Sequence, residues 1–145
     1  MTEPFIVHRR VEFSDTDMAG IVHFARFYFY MESTEAEYFR TLGITLANRV
    51  SHGPSYGWPR VSTSCSYKAP AYFEDQLEIR MWVERIGVKS LSLIFEFWRD
   101  DTHLATGRTK CAYCEFLPGE PIKSLEIPDK WVREFEKIQY PNGNK

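Results

Sequence analysis

The fold is decided by residues 5–43, which read FIVHRRVEFSDTDMAGIVHFARFYFYMESTEAEYFRTLG. Residues 5–13 are typical of a strand, and residues 14–20 form a short acidic turn that ends in a glycine. Residues 24–42 then show helical periodicity, because large side chains recur at spacings of three and four. That stripe consists of Phe27, Met31, Thr34, Tyr38 and Leu42. Gly43 suits the position just past a helix end, so the segment predicts a strand, a turn and a helix roughly 28 Å long.

Four further strand-like stretches follow an irregular segment at residues 44–58. They are residues 60–68, 77–86, 91–98 and 104–116. Polar and apolar residues alternate most clearly in the second and third stretches, and the short turns predict antiparallel neighbours. Residues 128–138 predict a short second helix, and residues 139–145 predict a frayed tail. This order predicts a single α+β domain over residues 1–145, in which a five-stranded antiparallel sheet wraps a long central helix.

The composition excludes several classes of protein. The 145 residues include 18 Lys and Arg against 20 Asp and Glu, so a basic nucleic-acid surface is not expected. The first residues, MTEPFIVHRR, lack an apolar run after a basic start, and no stretch approaches the roughly 18 apolar residues of a membrane helix. Three cysteines cannot all form pairs, which speaks against a disulfide scaffold. We therefore expect a cytoplasmic protein with no nucleic-acid partner and no membrane insertion.

Cys111 and Cys114 form a CxxC pair, a spacing that occurs in zinc and redox sites. The surrounding residues predict one continuous strand, on which positions i and i+3 point to opposite faces. The two thiols would then be badly placed to hold one metal ion, and Cys65 stands alone in the sequence. No metal site is expected, and no role is assigned to His52 or His103.

Residues 11–24, which read VEFSDTDMAGIVHF, resemble the 4-hydroxybenzoyl-CoA thioesterase family of hotdog-fold proteins. That family opens with a strand, an Asp-x-Asp-x-x-Gly-hydrophobic-Val turn and a central helix. Residues 66–77 and 83–91, with SYKAPA, EDQL and VERIGVKSL, match two further blocks, and the resemblance covers about residues 5–118. It implies hydrolysis of an acyl- or aryl-CoA thioester to the free acid and CoA, by a homodimer or a dimer of dimers. No cofactor is implied, because CoA is part of the substrate.

The resemblance also implies roles for individual residues. Asp17 matches the catalytic carboxylate of the family, and Phe24 takes the place whose backbone N–H faces the thioester carbonyl. Many relatives have Tyr-His at the positions of His23 and Phe24. The histidine comes one residue earlier here, so His23 is only a candidate contact to substrate or water. The blocks that usually flank the nucleotide contain the candidate substrate-binding residues Lys68, Arg85 and Lys89. Phe27 lines the acyl pocket or belongs to the core.

Thioester hydrolysis requires a group that attacks the carbonyl carbon or activates water, and a donor that stabilises the oxyanion. Asp17 lies on a turn between a strand and a helix start, from which a carboxylate can reach into a cleft. It would attack directly, giving a mixed anhydride, or act as general base on water, and the sequence leaves both open. Backbone N–H groups at the helix start suit an oxyanion. Capping of the helix start is the alternative for both aspartates, and a turn or capping role is expected of Asp15.

Two other interpretations stay open. A hotdog protein that only binds acyl groups or CoA shares this fold, although it would not need a carboxylate at Asp17. A hotdog dehydratase would pair a histidine with a carboxylate on the central helix, and the sequence places no such pair there. Glu35 is a second candidate carboxylate on that helix, for which a solvated or subunit-facing position is expected. The identity of the acyl group is not predicted.

One helix covers only one face of a five-stranded sheet and leaves two edges open, which predicts a homo-oligomer. In the arrangement that the resemblance implies, two sheets join edge to edge into a ten-stranded sheet, with the active site at the subunit boundary. Trp82 and Ile86 point away from the predicted core face. They are candidates for a contact between dimers in a homotetramer.

Overall fold

The computed structural model describes residues 2–46 and 53–141. Its elements follow in this order: β1 Phe5–Arg10, a 3-10 turn Phe13–Asp15, α1 Arg26–Thr41, β2 Ser55–Gly57, β3 Arg60–Tyr67, β4 Gln76–Ile86, β5 Ser90–Arg99, β6 Thr102–Ala112, β7 Cys114–Phe116, β8 Lys123–Ser124 and α2 Asp129–Glu136. The α+β class, the first strand, the long helix and the short second helix are as predicted. His52 and the end of the predicted tail, residues 142–145, lie outside the described residues. Within the described ranges, no helix is long and apolar enough to span a membrane.

Five strands form one antiparallel sheet in the order β1-β4-β5-β6-β3. β4, β5 and β6 are antiparallel neighbours joined by short turns, which confirms the prediction made from those turns. β1 pairs with β4, with Val7 opposite Ile79, and β3 pairs with β6, with Ser64 opposite Arg108. β3 therefore lies at one edge of the sheet, where even the apolar side chain of Val61 is 60% exposed.

The stretch at residues 104–116, predicted as one strand, forms two strands in different sheets. β6 ends before Tyr113, and β7 begins at Cys114 and joins a three-stranded sheet in the order β2-β7-β8. Cys111 and Cys114 are both buried. Because Cys111 and Cys114 lie on two different strands, the prediction that their thiols point to opposite faces of one strand does not apply.

Helix α1 packs on one face of the sheet through the predicted stripe. The ring of Phe27 packs edge-on against the Phe97 ring of β5, with 5.1 Å between centroids. Met31 lies against β6 at Gly107, where an added Cβ atom would be 2.5 Å from the methionine sulfur. A glycine at that position therefore lets the helix approach the sheet closely. Burial of large apolar side chains such as these contributes about 1.5–3 kcal/mol each.

The carboxyl-terminal segment pairs with the end of β4 that extends beyond β1, so the predicted frayed tail is wrong for Gln139 and Tyr140. The Tyr140 N–H donates to the Val83 carbonyl (N···O 2.8 Å), and the Val83 N–H donates to the Ile138 carbonyl (N···O 2.9 Å). A parallel bridge pairs Val83 with Gln139. The Tyr140 ring also packs on Trp82, which is only 9% exposed. Its own chain thus covers Trp82, and the predicted place of this residue in a contact between dimers is wrong.

Candidate active site

The turn that carries Asp17 is fixed by its own backbone and by a neighbouring loop. The Asp17 N–H donates to the Ile21 carbonyl (N···O 2.9 Å), and the Gly20 N–H donates to the Asp17 carbonyl (N···O 2.9 Å). Gly20 has a φ of 81°, a left-handed conformation that glycine adopts without steric cost. The Val22 N–H donates to the Ala71 carbonyl (N···O 2.8 Å). The turn is therefore anchored to the loop between β3 and β4.

The Asp17 side chain is half-buried and is held by one hydrogen bond. Its Oδ1 accepts the Ala19 N–H (N···O 2.8 Å), which orients the carboxylate within its own turn. Its Oδ2 has no hydrogen-bond partner in the described part of the chain. The carboxylate therefore has a defined direction and a free oxygen, as a nucleophile or a general base requires.

Asp15 has a structural position instead. Its Oδ2 accepts the Glu12 N–H (N···O 2.9 Å) and the Tyr30 hydroxyl (O···O 2.8 Å), and its Oδ1 lies 3.8 Å from the Arg26 Nε. Burial first, and the Asp15 carboxylate second, raise the pKa of Tyr30 well above its ordinary value, so this tyrosine remains a donor. These bonds tie the 3-10 turn to α1, in agreement with the turn and capping role predicted for Asp15.

The Phe24 N–H is a free donor at the start of α1. The His23 N–H donates to the Asp15 carbonyl, and the Arg26 N–H donates to the His23 carbonyl, each with N···O 2.8 Å. The His23 Nδ1 accepts the Ala25 N–H (N···N 3.1 Å). Between them, the Phe24 N–H has no acceptor among the described residues. Because the carbonyl of its own peptide unit already accepts a bond, this N–H is polarised, and it lies at the positive end of the helix dipole.

His23 supports the start of α1. Its Nδ1 accepts the Ala25 N–H, and its ring stacks on the Phe24 ring with 4.5 Å between centroids. His23 is not among the residues that line the cleft beside Asp17. A contact of His23 with substrate or water stays a prediction.

Asp17 and Phe24 lie on the wall of one open cleft with a volume of about 550 Å³. Its walls come from the turn at residues 17–24, from α1 and from residues 67–71 after β3. The cleft brings together four of the predicted site residues, namely Asp17, Phe24, Phe27 and Lys68. Phe27 is 3% exposed and joins the cleft to the core. The remaining lining is mostly apolar, which suits the hydrocarbon part of an acyl group.

Tyr67 is a cleft residue to which the sequence analysis assigned no role. Its hydroxyl donates to the Phe24 carbonyl (O···O 2.8 Å), although the two residues are 43 positions apart. Its ring packs edge-on against Phe27, with 5.3 Å between centroids. The only signal in the sequence is that Tyr67 belongs to the SYKAPA block.

The three predicted nucleotide-binding cations are not gathered in one place. Lys68 lies at the cleft, with its Nζ 3.3 Å from the Nδ1 of His103. Arg85 and Lys89 are exposed near the opposite end of β4. At 3.3 Å per residue, Arg85 lies roughly 30 Å along the strand from Asp75, which borders the cleft loop. Within one chain, Arg85 and Lys89 are therefore remote from Asp17.

Glu35 is a buried carboxylate on α1, so the expected solvated or subunit-facing position is wrong. Its side chain is 1% exposed, and its Oε2 accepts a hydrogen bond from the Arg60 Nη2 (N···O 3.0 Å). Its Oε1 is buried and has no partner in the part of the chain that the structure describes. Burial raises the pKa of Glu35 to about 6, against the lowering effect of Arg60. Glu35 follows the buried Met31 by four positions, a spacing that indicates the same helix face.

The structure offers no metal centre within residues 2–46 and 53–141, since no three His, Cys, Asp or Glu side chains are grouped there. The Cys111 Sγ donates to the Leu91 carbonyl (S···O 3.5 Å). Burial first, and the Glu35 charge second, raise the pKa of the Cys111 thiol well above its ordinary value. A buried thiol that keeps its proton is a core residue, because the thiolate is the form that binds metals and attacks substrates.

Comparison with known proteins identifies thioesterases as similar sequences and structures. A family model described as the thioesterase-like superfamily matches residues 11–135. The 1,4-dihydroxy-2-naphthoyl-CoA hydrolase of Nostoc punctiforme is 30% identical over 132 residues, which are 91% of this chain and 86% of that protein. The 4-hydroxybenzoyl-CoA thioesterase of a Pseudomonas species is 24% identical over 137 residues, which are 91% and 97% of the two chains. A solved gentisyl-coenzyme A thioesterase is 28% identical, with a TM-score of 0.76 over 90% of this chain and 98% of that one.

These similarities confirm the predicted family and the predicted enzyme class, a thioester hydrolase. The solved structure agrees with the predicted hotdog fold. Because the family model spans most of its length, this chain belongs to the thioesterase-like superfamily.

Proposed function

We propose that this protein hydrolyses an acyl- or aryl-CoA thioester to the free acid and CoA. The observation that carries the proposal is that Asp17 and Phe24 line one cleft. Asp17 has a free carboxylate oxygen there, and the Phe24 N–H has no acceptor among the described residues. An attacking group and an oxyanion donor are the two components that thioester hydrolysis needs.

The proposed reaction begins with the thioester carbonyl oxygen accepting the Phe24 N–H. In one route, the Asp17 carboxylate attacks the carbonyl carbon, the C–S bond breaks, and CoA leaves as the thiolate. Water then hydrolyses the mixed anhydride and regenerates Asp17. In the other route, Asp17 takes a proton from water as the water oxygen attacks, and that proton passes to the departing sulfur. In both routes, negative charge develops on the oxygen that faces Phe24.

The substrate class is supported by the lining of the cleft and by the relatives. Named relatives act on 1,4-dihydroxy-2-naphthoyl-CoA and 4-hydroxybenzoyl-CoA, which carry aromatic acyl groups. Phe27 at the base of a mostly apolar cleft suits an aryl or a medium-length acyl group. Lys68 at the cleft is suited to a phosphate of CoA. Arg85 and Lys89 would reach the nucleotide only from a second subunit.

A homodimer formed through β3 fits this proposal. In the described chain the edge strands of the sheet are β1 and β3, and the side chains of β3 are the more exposed of the two. Pairing of two β3 strands would give the predicted ten-stranded sheet wrapped around two central helices. Tyr67 and Lys68 at the end of β3 would then lie close to the subunit boundary. A dimer of dimers, a cytoplasmic location and the absence of a cofactor stay predictions, as does Ile86 at a contact between dimers.

The proposal is tested with a panel of aromatic and aliphatic acyl-CoAs and a reagent that detects free thiols. We expect CoA release from at least one ester, and loss of that release in Asp17→Asn. The Asp17→Asn variant keeps the size of the side chain and an acceptor for the Ala19 N–H, so its melting temperature should match that of the parent protein. Binding of the esters without any thiol release would instead identify a non-catalytic acyl-CoA-binding protein.

A further inference from the structure

The backbone of Phe24 is contacted by a tyrosine side chain from the edge strand β3. The Phe24 ring is 62% exposed, so packing of the ring does little to fix this residue. The Phe24 carbonyl accepts the Tyr67 hydroxyl (O···O 2.8 Å) and accepts no backbone N–H among the described residues. Tyr67 is therefore the one described donor to this carbonyl.

The position of the Tyr67 hydroxyl is set by the sheet and by the core. Tyr67 lies opposite Ala105 in the β3–β6 ladder, which fixes its backbone. Its ring packs on Phe27, which is 3% exposed and anchored against Phe97 of β5. The hydroxyl thus presents a rigid contact to the Phe24 carbonyl.

Hydrogen bonds on both sides hold the backbone of Phe24. On its amino side, the His23 carbonyl accepts the Arg26 N–H (N···O 2.8 Å), which fixes the peptide unit that contains the Phe24 N–H. On its carboxyl side, the Tyr67 hydroxyl fixes the peptide unit that contains the Phe24 carbonyl. The Ala25 N–H of that same unit also donates to the His23 Nδ1 (N···N 3.1 Å), so the Tyr67 hydroxyl is the contact that ties this unit to the sheet.

We infer that Tyr67 is a positioning residue for thioester hydrolysis, which aims the Phe24 N–H into the cleft by holding the Phe24 carbonyl. The inference rests on the proposed function. An oxyanion donor must be aligned with the charge that develops in the transition state, and a small displacement weakens catalysis strongly. Loss of the Tyr67 hydroxyl should therefore lower kcat and leave substrate binding almost unchanged.

The kinetic test compares Tyr67→Phe with Tyr72→Phe on the acyl-CoA that the parent protein hydrolyses. Tyr67→Phe keeps the ring that packs on Phe27 and removes only the hydroxyl. Tyr72 is a matched control, because it is 47% exposed against 45% for Tyr67, and its hydroxyl has no hydrogen bond in the described structure. We expect kcat to fall about tenfold in Tyr67→Phe, with KM changed less than about twofold. Tyr72→Phe should match the parent protein in both constants.

A second measurement reports the contact itself and does not require activity. Phe24 is the only phenylalanine in the sequence that is followed by alanine. Protein labelled with [1-¹³C]phenylalanine and [¹⁵N]alanine therefore gives one carbonyl–amide cross-peak, from Phe24 and Ala25. His23 is likewise the only histidine followed by phenylalanine, so [1-¹³C]histidine with [¹⁵N]phenylalanine isolates the Phe24 N–H. Both peaks should move in Tyr67→Phe and stay in place in Tyr72→Phe.

The outcomes separate this inference from the proposed function. If the parent protein releases CoA and Tyr67→Phe has an unchanged kcat, or a raised KM with an unchanged kcat, the inference is overturned and the function stands. A Phe24 carbonyl signal that does not move in Tyr67→Phe also overturns it, whatever the activity. If the parent protein releases no CoA from any ester, the proposed function fails first, and the positioning role fails with it.

Discussion

Asp17 and Glu35 are two carboxylates of one strand-turn-helix segment, and their surroundings differ in almost every respect. Asp17 is half-buried beside a cleft, with one oxygen on the Ala19 N–H and the other free among the described residues. Glu35 is 1% exposed beneath the sheet, paired through one oxygen with Arg60. Burial raises the pKa of Glu35 to about 6, against the lowering effect of Arg60.

The comparison teaches that a perturbed pKa is not sufficient to identify the reactive carboxylate. Perturbed groups often mark functional sites, but burial in a structural ion pair perturbs them as well. What distinguishes Asp17 is geometry, because it lines an open cleft together with Phe24, whose N–H has no acceptor among the described residues. Glu35 is not among the residues that line the cleft beside Asp17.

We expect the largest effect on activity from substitution of Asp17. Asp17→Asn should lower kcat roughly 10²-fold or more, because the amide is neither a base nor a nucleophile of comparable strength. Glu35→Gln, the matched amide substitution on α1, should keep kcat within about threefold of the parent value, since it leaves the cleft intact. Steady-state thiol release by the three proteins measures both effects. Equal losses in the two variants would show that Glu35 takes part in the chemistry.

The second prediction concerns the contribution of Glu35 to stability and how that contribution changes with pH. Its pKa is raised from 4.5 to about 6 on folding, so the folded state binds the proton more tightly than the unfolded state. This contribution to stability is complete below about pH 4.5 and is lost as the pH rises through 6. The loss amounts to about 2 kcal/mol. Glu35→Gln does not titrate, so its stability relative to the parent protein should rise by about that amount between pH 4 and pH 7.

Urea unfolding of both proteins at several pH values measures this difference, and groups common to the two proteins cancel. Glu37→Gln is a suitable control, because Glu37 lies on the same helix and pairs with Arg9 at a more exposed position. Parallel stability curves for the parent protein and Glu35→Gln would contradict the assigned shift.

The same contrast explains how much of the molecule the sequence predicts. The helix and the central strands are predictable because their periodicities of 3.6 and 2 are local properties. The break at Tyr113, and the tail residues that cover Trp82, depend on distant partners and leave no local pattern. Asp17 and Phe24 were identified by a motif, whereas the bond from Tyr67 to Phe24 spans 43 positions. Such a contact exists only once the sheet has formed.

A third prediction tests whether the cleft that contains Asp17 also binds the CoA nucleotide. Lys68→Ala should raise KM for a CoA ester about five- to tenfold with little change in kcat, because a phosphate contact acts equally in the ground and transition states. A pantetheine thioester, which lacks those phosphates, should be almost unaffected. Equal effects on both substrates would place Lys68 at the acyl group.

Lys89→Ala and Arg85→Ala provide a related measurement. Both residues lie far from Asp17 within one chain, so they contribute to CoA binding only if a second subunit brings them to the cleft. We expect each variant to raise KM for the CoA ester more than it lowers kcat, with no effect on the pantetheine ester. An unchanged KM in both variants would show that Arg85 and Lys89 do not bind the nucleotide, which would leave Lys68 as the remaining candidate.

The smallest expected effect comes from His23, which lies next to the oxyanion donor yet serves the helix start. His23→Ala removes the acceptor of the Ala25 N–H, and loss of such a cap costs about 1 kcal/mol of stability. We expect kcat to fall less than about fivefold, because the Phe24 N–H and Asp17 remain in place. His23→Asn should restore most of the stability, since its side-chain oxygen can accept the same N–H. Melting temperatures and kcat of the two variants separate the roles. If the asparagine restores stability while kcat stays as low as in Asp17→Asn, the imidazole itself takes part in the reaction, and Asp17 is not the only side chain on this turn that does.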